Sequence, residues 1–229
     1  MRIDNNILKR LLQNVYFLNG TACAGKSTMA KLLAEKYDGI LCGENYHMEI
    51  LSTADPVHQP NLCYFDTMKD WQEFVTRTPE EYDAWLQGVA REAAQLEIIL
   101  LLRLCGQGKK IFVDTNISPD ILREISDYHR VAIMLSPTTL AVNHFFDRPD
   151  AEKQFLYQEL LKCPDPDAAI ANYRKCLELA NGAEHYGEFA DSGFFTHVRT
   201  GESTIDGTLE VLERHFGLNE CDIHQPFER

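Results

Sequence analysis

The apolar residues of this chain are concentrated in short, nearly continuous runs with little alternation between apolar and polar positions. This pattern is typical of strands that are buried on both faces. Segments with helical periodicity lie between the runs, so the order of elements predicts an α/β fold with a mostly parallel sheet and helices on both faces. The five predicted strands span residues 15–18, 39–42, 110–114, 130–135 and 194–198.

Two long segments between the predicted strands, about 44–105 and about 147–191, are mainly helical in pattern. The clearest helix start is the capping box Thr78-Pro79-Glu80-Glu81, in which the Thr and Glu side chains each accept a backbone N–H. We expect one domain over residues 1–229, with the two segments as helical insertions. The other predicted helices lie near 67–76, after Ser118-Pro119-Asp120, within 148–191 and at about 206–216.

The first predicted strand runs into Gly20-Thr21-Ala22-Cys23-Ala24-Gly25-Lys26-Ser27-Thr28, which fits the phosphate-binding pattern G-x-x-x-x-G-K-[ST]. The two glycines allow successive backbone N–H groups to turn inward and form a concave anion site. Lys26 is expected to reach the β- and γ-phosphates, and the Ser27 hydroxyl is expected to bind Mg²⁺. A helix over about 26–37 directs its positive end at the same phosphates. The ligand class is therefore a nucleoside triphosphate with Mg²⁺.

Composition narrows the possible partners. The chain has 35 acidic and 22 basic side chains, a formal net charge of −13, which argues against nucleic acid or an anionic membrane as the main partner. The seven cysteines are scattered and include no C-x-x-C pair, which is typical of reduced thiols in the cytoplasm. The chain shows neither the apolar core of a signal peptide nor an apolar stretch that could span a bilayer, so we expect a cytoplasmic protein.

The chain resembles the nucleoside-monophosphate-kinase-like branch of P-loop proteins, which includes shikimate kinase, gluconate kinase and chloramphenicol phosphotransferase. The resemblance rests on the glycine-rich loop near the N-terminus, on a strand that ends Val113-Asp114, and on a strand and Pro137 followed by a helix that ends Asp147-Arg148. It implies a three-layer P-loop fold with strand order 2-3-1-4-5 and ATP as phosphate donor. It also implies a substrate site above the carboxyl ends of the strands, where ligands bind in open α/β sheets.

Two carboxylates are candidates for roles in phosphoryl transfer, which needs charge neutralisation and a group that orients the accepting hydroxyl. Glu44 follows the second strand, where the resembling kinases use a carboxylate, mostly Asp, to contact the acceptor or to act as base. Asp114 ends the third strand, where a carboxylate can hold the magnesium shell. The roles can also be exchanged between the two. The structural alternatives are a solvated loop acid at Glu44 and a helix-capping residue at Asp114.

Two arginines are further candidates. Arg148 lies where a lid arginine would close over the γ-phosphate and stabilise transition-state charge, and a surface ion pair is the alternative. Arg123, Lys153 and Arg174 are rivals for the same role. Arg199 begins the loop after the last strand, which packs on the adenine in the resembling kinases.

The segment from residue 46 to residue 71 is rich in polar and aromatic side chains. It suits an acceptor pocket, and it also suits a folded loop that packs on the sheet. We therefore predict an ATP-dependent small-molecule kinase with Lys26, Glu44, Asp114 and Arg148 as catalytic residues. The alternative is an ATP-binding regulatory module with slow hydrolysis and a protein partner. The acidic residue after the second strand favours the kinase, since it has no obvious purpose in a switch.

Overall fold

The computed structural model describes residues 4–143, 145–146 and 151–218. Its centre is a five-stranded sheet in which every neighbouring pair of strands is parallel and the order is β2-β3-β1-β4-β5. Both the predicted strand order and the α/β class are confirmed. Each strand lies within two residues of its predicted bounds: β1 Val15–Gly20, β2 Ile40–Cys42, β3 Ile111–Asp114, β4 Val131–Leu135 and β5 Phe195–Val198.

The helices of the described residues follow the chain order of an alternating α/β fold with two insertions. Short 3-10 helices occur at Tyr46–Thr53 and Tyr128–Arg130. The α-helices are α1 Asn5–Leu11, α2 Lys26–Lys36, α3 Tyr64–Thr67, α4 Trp71–Val75, α5 Pro79–Cys105, α6 Pro119–Ile125, α7 Thr138–Asn143, α8 Ala151–Leu161, α9 Pro166–Ala180, α10 Ala183–Ala190 and α11 Ile205–Phe216.

Two apolar clusters cover the two faces of the sheet, because successive side chains of a strand point to opposite faces. Val15 and Phe17 of β1 face a cluster with residues of α5 and α6, including Leu101. Tyr16 and Leu18 face a second cluster, built from α2 and α11. The sheet is thus the middle layer of three, and its buried strands explain the continuous apolar runs of the sequence.

A third apolar cluster lies in the helical insertions and joins the first half of α5 to α4, α8 and α9. Tyr82 of α5 and Tyr173 of α9 meet there with ring centroids 5.4 Å apart. The described part of the 147–191 segment forms three helices. Two of them, α8 and α9, pack in this cluster, and His185 of the third, α10, lies 2.9 Å from the carboxylate of Asp83 on α5. Within the described ranges, no helix has both the length and the apolar character needed to cross a membrane.

The capping box predicted for α5 is present. The Thr78 hydroxyl accepts the Glu81 N–H at 3.2 Å, and the Glu81 carboxylate accepts the Thr78 N–H at 3.0 Å. One helix prediction is wrong in part, because the stretch near 67–76 is two short helices, α3 and α4. Met68 leaves helical geometry with ψ 153°, and Asp70 then caps α4 by accepting the Glu73 N–H.

Candidate functional site

The glycine loop, residues 20–28, connects β1 to α2 at the carboxyl edge of the sheet. Gly20 and Gly25 have φ of +119° and +96°, so both occupy backbone conformations that residues with a Cβ resist. Gly20 is also pressed against the neighbouring strand, since a Cβ there would lie 2.0 Å from the Met134 carbonyl oxygen. Gly25 is the residue before the first turn of α2, so the loop ends at the positive end of that helix.

Buried polar side chains hold the glycine loop in place. Asn19 is fully buried, accepts the next backbone N–H on Oδ1 at 2.7 Å and donates to the Ile117 carbonyl. The Thr21 hydroxyl accepts the Ser136 N–H at 2.8 Å, and the Ser136 hydroxyl donates to the Ala22 carbonyl at 2.7 Å. Sequence reasoning did not identify Asn19 or Ser136; the available signal was a polar residue inside or directly after a buried strand.

The two side chains expected to bind phosphate and magnesium lie together in the first turn of α2. Lys26 Nζ donates to the carbonyl oxygens of Gly20 and Thr21, each at 3.1 Å. The Ser27 hydroxyl donates to Oδ2 of Asp114, which ends β3. The structure therefore brings three predicted site residues to one point at the edge of the sheet.

Asp114 is 2 % exposed, and its Oδ1 has no hydrogen-bond partner among the described residues. Burial raises the pKa of this carboxyl, the positive charge of Lys26 and the Ser27 hydrogen bond oppose the rise, and the charges of Glu44 and Glu97 add to it. A buried carboxylate with a free oxygen and mainly unfavourable surroundings gains from a nearby cation.

Ser27 and Asp114 fit a magnesium ion that is bound with a nucleotide. Mg²⁺ prefers oxygen ligands and usually keeps several waters beside one or two protein groups and the substrate phosphates. Among the residues that the structure describes, no group of three or more His, Cys, Asp or Glu side chains is placed to hold a metal ion. The protein would therefore supply the Ser27 hydroxyl and the free Asp114 oxygen.

Glu44 lies in an exposed turn directly after β2, at the same edge of the sheet as Asp114. The turn includes Asn45, which has φ of +64° and directly precedes the 3-10 helix Tyr46–Thr53. The charge of Glu44 contributes to the raised pKa of Asp114, after burial as the main cause, so the two carboxylates are close enough to interact. The second candidate carboxylate therefore lies at the same edge of the sheet as the first and is open to solvent.

Beneath these two carboxylates lies a third one that the sequence did not single out. Glu97 of α5 is 4 % exposed and contacts two other buried side chains. Its Oε2 accepts the Thr115 hydroxyl at 2.8 Å, and its Oε1 lies 3.1 Å from Nδ1 of His47. Thr115 follows Asp114 in the chain, so the cluster adjoins the candidate site.

Of the two candidate arginines, the structure describes Arg199 and not Arg148. Arg199 lies beside the glycine loop: its guanidinium donates to the Cys23 carbonyl at 2.7 Å, and its backbone N–H donates to the Leu135 carbonyl at 2.7 Å. Arg148 lies outside the described residues. Its rival Arg123 forms an exposed ion pair with Asp120, one turn away on α6.

The predicted acceptor segment is divided between two places. Its first part, Tyr46–Thr53, lies beside Glu97, whereas its last part belongs to the helical insertion, where Phe65 and Trp71 pack with ring centroids 5.1 Å apart. A cavity of about 560 Å³ beside that aromatic cluster is lined by residues that include Tyr64, Arg77 and Trp85.

This cavity is not next to the glycine loop. Trp85 and Glu97 are twelve residues apart in α5, which separates them by about 18 Å along the helix and by about 120° around it. The part of the predicted acceptor segment that lies near Asp114 is therefore the 3-10 helix Tyr46–Thr53, which follows the turn at Glu44.

Comparison with protein-family models finds no match to this chain, and comparison with curated protein sequences finds none either. Function is therefore inferred from the arrangement of the side chains.

Proposed function

We propose that this protein is a P-loop kinase that transfers the γ-phosphate of ATP to a hydroxyl group of a small polar acceptor. The observation that carries the proposal is the junction of Lys26, Ser27 and Asp114 at the carboxyl edge of a parallel sheet. Ser27 there is bonded to a buried carboxylate whose other oxygen has no partner among the described residues. Ligands of open α/β sheets bind at this edge, and a triphosphate with Mg²⁺ matches these groups.

The glycine loop and the first turn of α2 form the donor side. Backbone N–H groups of residues 20–28 cradle the phosphates, and Lys26 exchanges its two loop carbonyls for phosphate oxygens. Ser27 and Asp114 would hold Mg²⁺, and the ion would supply charge neutralisation at the phosphates. Arg199 holds the Cys23 carbonyl and so keeps the loop beside the predicted adenine position.

Glu44 forms the acceptor side. Asp114 is buried and already bonded to Ser27, whereas Glu44 is exposed in the turn above the same edge. This difference supports Asp114 as the residue that holds the metal and Glu44 as the residue that orients the acceptor hydroxyl and accepts its proton. Closure by Arg148 over the γ-phosphate remains part of the proposal from sequence.

Phosphate transfer from ATP is measured across a panel of nucleosides, sugars, hydroxy acids and aminoglycosides, with Mg²⁺ present. Lys26→Ala is expected to lower transfer on the order of 100-fold or more, because charge stabilisation in the transition state is lost. Lys31→Ala is the matched control, since Lys31 lies on the same helix and makes only a long, exposed ion pair with Glu35, at 3.9 Å. Circular dichroism should show both variants folded.

Full activity in Lys26→Ala would reject the assigned site. ATP·Mg²⁺ binding without transfer to any member of the panel would favour the regulatory module, provided that a protein partner is captured only in the presence of nucleotide. No binding of ATP·Mg²⁺ by the wild-type protein would reject both functions.

A further inference from the structure

Glu97 is a buried carboxylate in the middle of α5 whose two oxygens bind two different segments of the chain. Thr115 Oγ1 donates to Oε2 at 2.8 Å, and His47 Nδ1 lies 3.1 Å from Oε1. His47 and Thr115 are themselves only 5 % and 2 % exposed. Because a buried polar group cannot exchange its partners for water, these contacts fix both segments relative to α5.

Each segment held by Glu97 carries one of the candidate carboxylates. Thr115 directly follows Asp114, and its hydroxyl also accepts the Ile117 N–H at 3.0 Å, which shapes the chain after β3. His47 lies three residues after Glu44, at the start of the 3-10 helix that follows the exposed turn. The two contacts therefore link the chain after Asp114 and the 3-10 helix after Glu44 to the same side chain of α5.

Folding does not by itself explain a carboxylate at position 97. The neighbouring positions that α5 turns toward the sheet are apolar, including Ala94 and Leu101. Burying a carboxylate costs free energy unless it is paired and hydrogen-bonded, and an apolar residue of similar volume often gives equal or greater stability. The charge also affects its surroundings: burial raises the pKa of the Tyr46 hydroxyl, and the charge of Glu97 raises it further.

We propose that Glu97 is a positioning residue that sets the separation of Glu44 and Asp114 through His47 and Thr115. This inference rests on the proposed function, because it assigns Glu97 to the same site. Glu97 itself would touch neither nucleotide nor acceptor.

Hydrogen exchange in the full chain without nucleotide tests the bridge directly. Glu97→Ala should speed amide exchange in both 43–48 and 115–117. Glu97→Gln should restore the wild-type pattern, because the carboxamide oxygen can accept from Thr115 while its NH₂ group can donate to Nδ1 of His47. The proposal would be overturned if amide exchange in either segment of Glu97→Ala stayed at the wild-type rate. If Glu97→Ala fails to fold, Glu97→Gln decides: faster exchange than in the wild type in both segments would overturn the proposal.

Glu213→Ala is the matched control, since Glu213 is equally buried and accepts two donors, Tyr37 Oη at 2.9 Å and Lys36 Nζ. It joins α2 to α11, away from Glu44. Loss of this carboxylate should speed exchange there and leave 43–48 and 115–117 unchanged. If both alanine variants loosen the same segments, the effect of Glu97 is general instability and the proposal fails.

The turnover number kcat, compared with the affinity for nucleotide, distinguishes a positioning role of Glu97 from a role in folding alone. With ATP·Mg²⁺ as substrate and water in place of the acceptor, Glu97→Ala should lower kcat by about 10- to 100-fold, the usual effect of losing an outer-shell partner. The affinity for ATP measured without Mg²⁺ should change little, because Lys26 and the glycine loop do not contact Glu97. If the affinity for the nucleotide fell by the same factor as kcat, Glu97 would have only a structural role. Failure of the wild-type protein to bind ATP·Mg²⁺ would reject the proposed function, while hydrogen exchange still decides whether Glu97 is a bridge.

Discussion

The two glycines of the phosphate-binding pattern are required for different physical reasons. Gly20 has φ of +119° and also lies against β4, where a Cβ would be 2.0 Å from the Met134 carbonyl oxygen. Gly25 has φ of +96° but has room for a Cβ, which would make only an ordinary van der Waals contact with the Met134 methyl group at 3.9 Å. The sequence pattern requires glycine at both positions, and the structure shows the reason at each: positive φ at both, and a backbone clash at Gly20 alone.

Alanine at the two positions should therefore have unequal effects on stability. Gly20→Ala should lower the free energy of unfolding by about 3 kcal/mol or more, because strain is combined with a backbone clash that forces β1 and β4 apart. Gly25→Ala should cost about 1–2 kcal/mol, since only the left-handed conformation is penalised. Urea denaturation measures both, with Gly43→Ala as a control because no atom lies within 4 Å of a Cβ there. Equal losses at Gly20 and Gly25 would contradict this account.

At the scale of elements, the sequence predicts those features whose signal is local. The three central strands β1, β3 and β4 are buried on both faces and read as apolar runs, whereas the edge strands β2 and β5 are partly exposed. The helix α5 begins at a capping box whose residues lie within four consecutive positions of the chain. The helix α1 and the 3-10 helix Tyr46–Thr53 were not predicted. Neither begins with a side-chain cap, and the second is held by the contact between His47 and Glu97, fifty positions apart.

The candidate site follows the same division. The glycine loop and Asp114 were predicted because a contiguous motif and the end of an apolar run mark them. Glu97 has no such mark, since in the sequence it is one acidic residue in a long helical pattern. Its importance comes from Thr115, eighteen positions away, and from His47. Asn19 and Ser136 were missed for the same reason, because their partners become neighbours only when β1, β3 and β4 align.

The capping box of α5 gives a prediction at this scale. Thr78→Ala removes the acceptor of the Glu81 N–H and should lower the free energy of unfolding by about 1 kcal/mol. Thr78→Ser keeps a hydroxyl at the same place and should stay close to the wild type. Thermal and urea denaturation of the three proteins test this. A Thr78→Ala protein as stable as the Ser variant would show that tertiary packing of this 27-residue helix makes its cap dispensable.

At the scale of the whole molecule, His215 joins the outer helix α11 to the sheet. Its ring stacks on Phe195 of β5 with centroids 4.2 Å apart, and its Nε2–H donates to the Val131 carbonyl at the start of β4 at 2.9 Å. Burial lowers the pKa of this imidazole, and the nearby His129 adds to the effect, while the hydrogen bond to Val131 opposes it. The neutral ring is therefore the form that the folded protein prefers.

The stability of the protein should consequently fall in mild acid. A histidine whose pKa is lowered on folding binds fewer protons in the folded state than in the unfolded state. Its contribution to stability is therefore complete above the ordinary pKa of about 6.5 and is lost as the pH falls from there through the folded pKa.

Urea denaturation between pH 5 and pH 8 should show this slope as a fall in the free energy of unfolding with falling pH. His215→Gln should reduce this slope, because an amide can donate to Val131 without titrating. The half-buried His197, whose pKa is also lowered by burial, should account for part of the remaining slope. If His215→Gln and the wild type lose stability in parallel, protonation elsewhere governs the acid limit and α11 does not depend on a neutral imidazole.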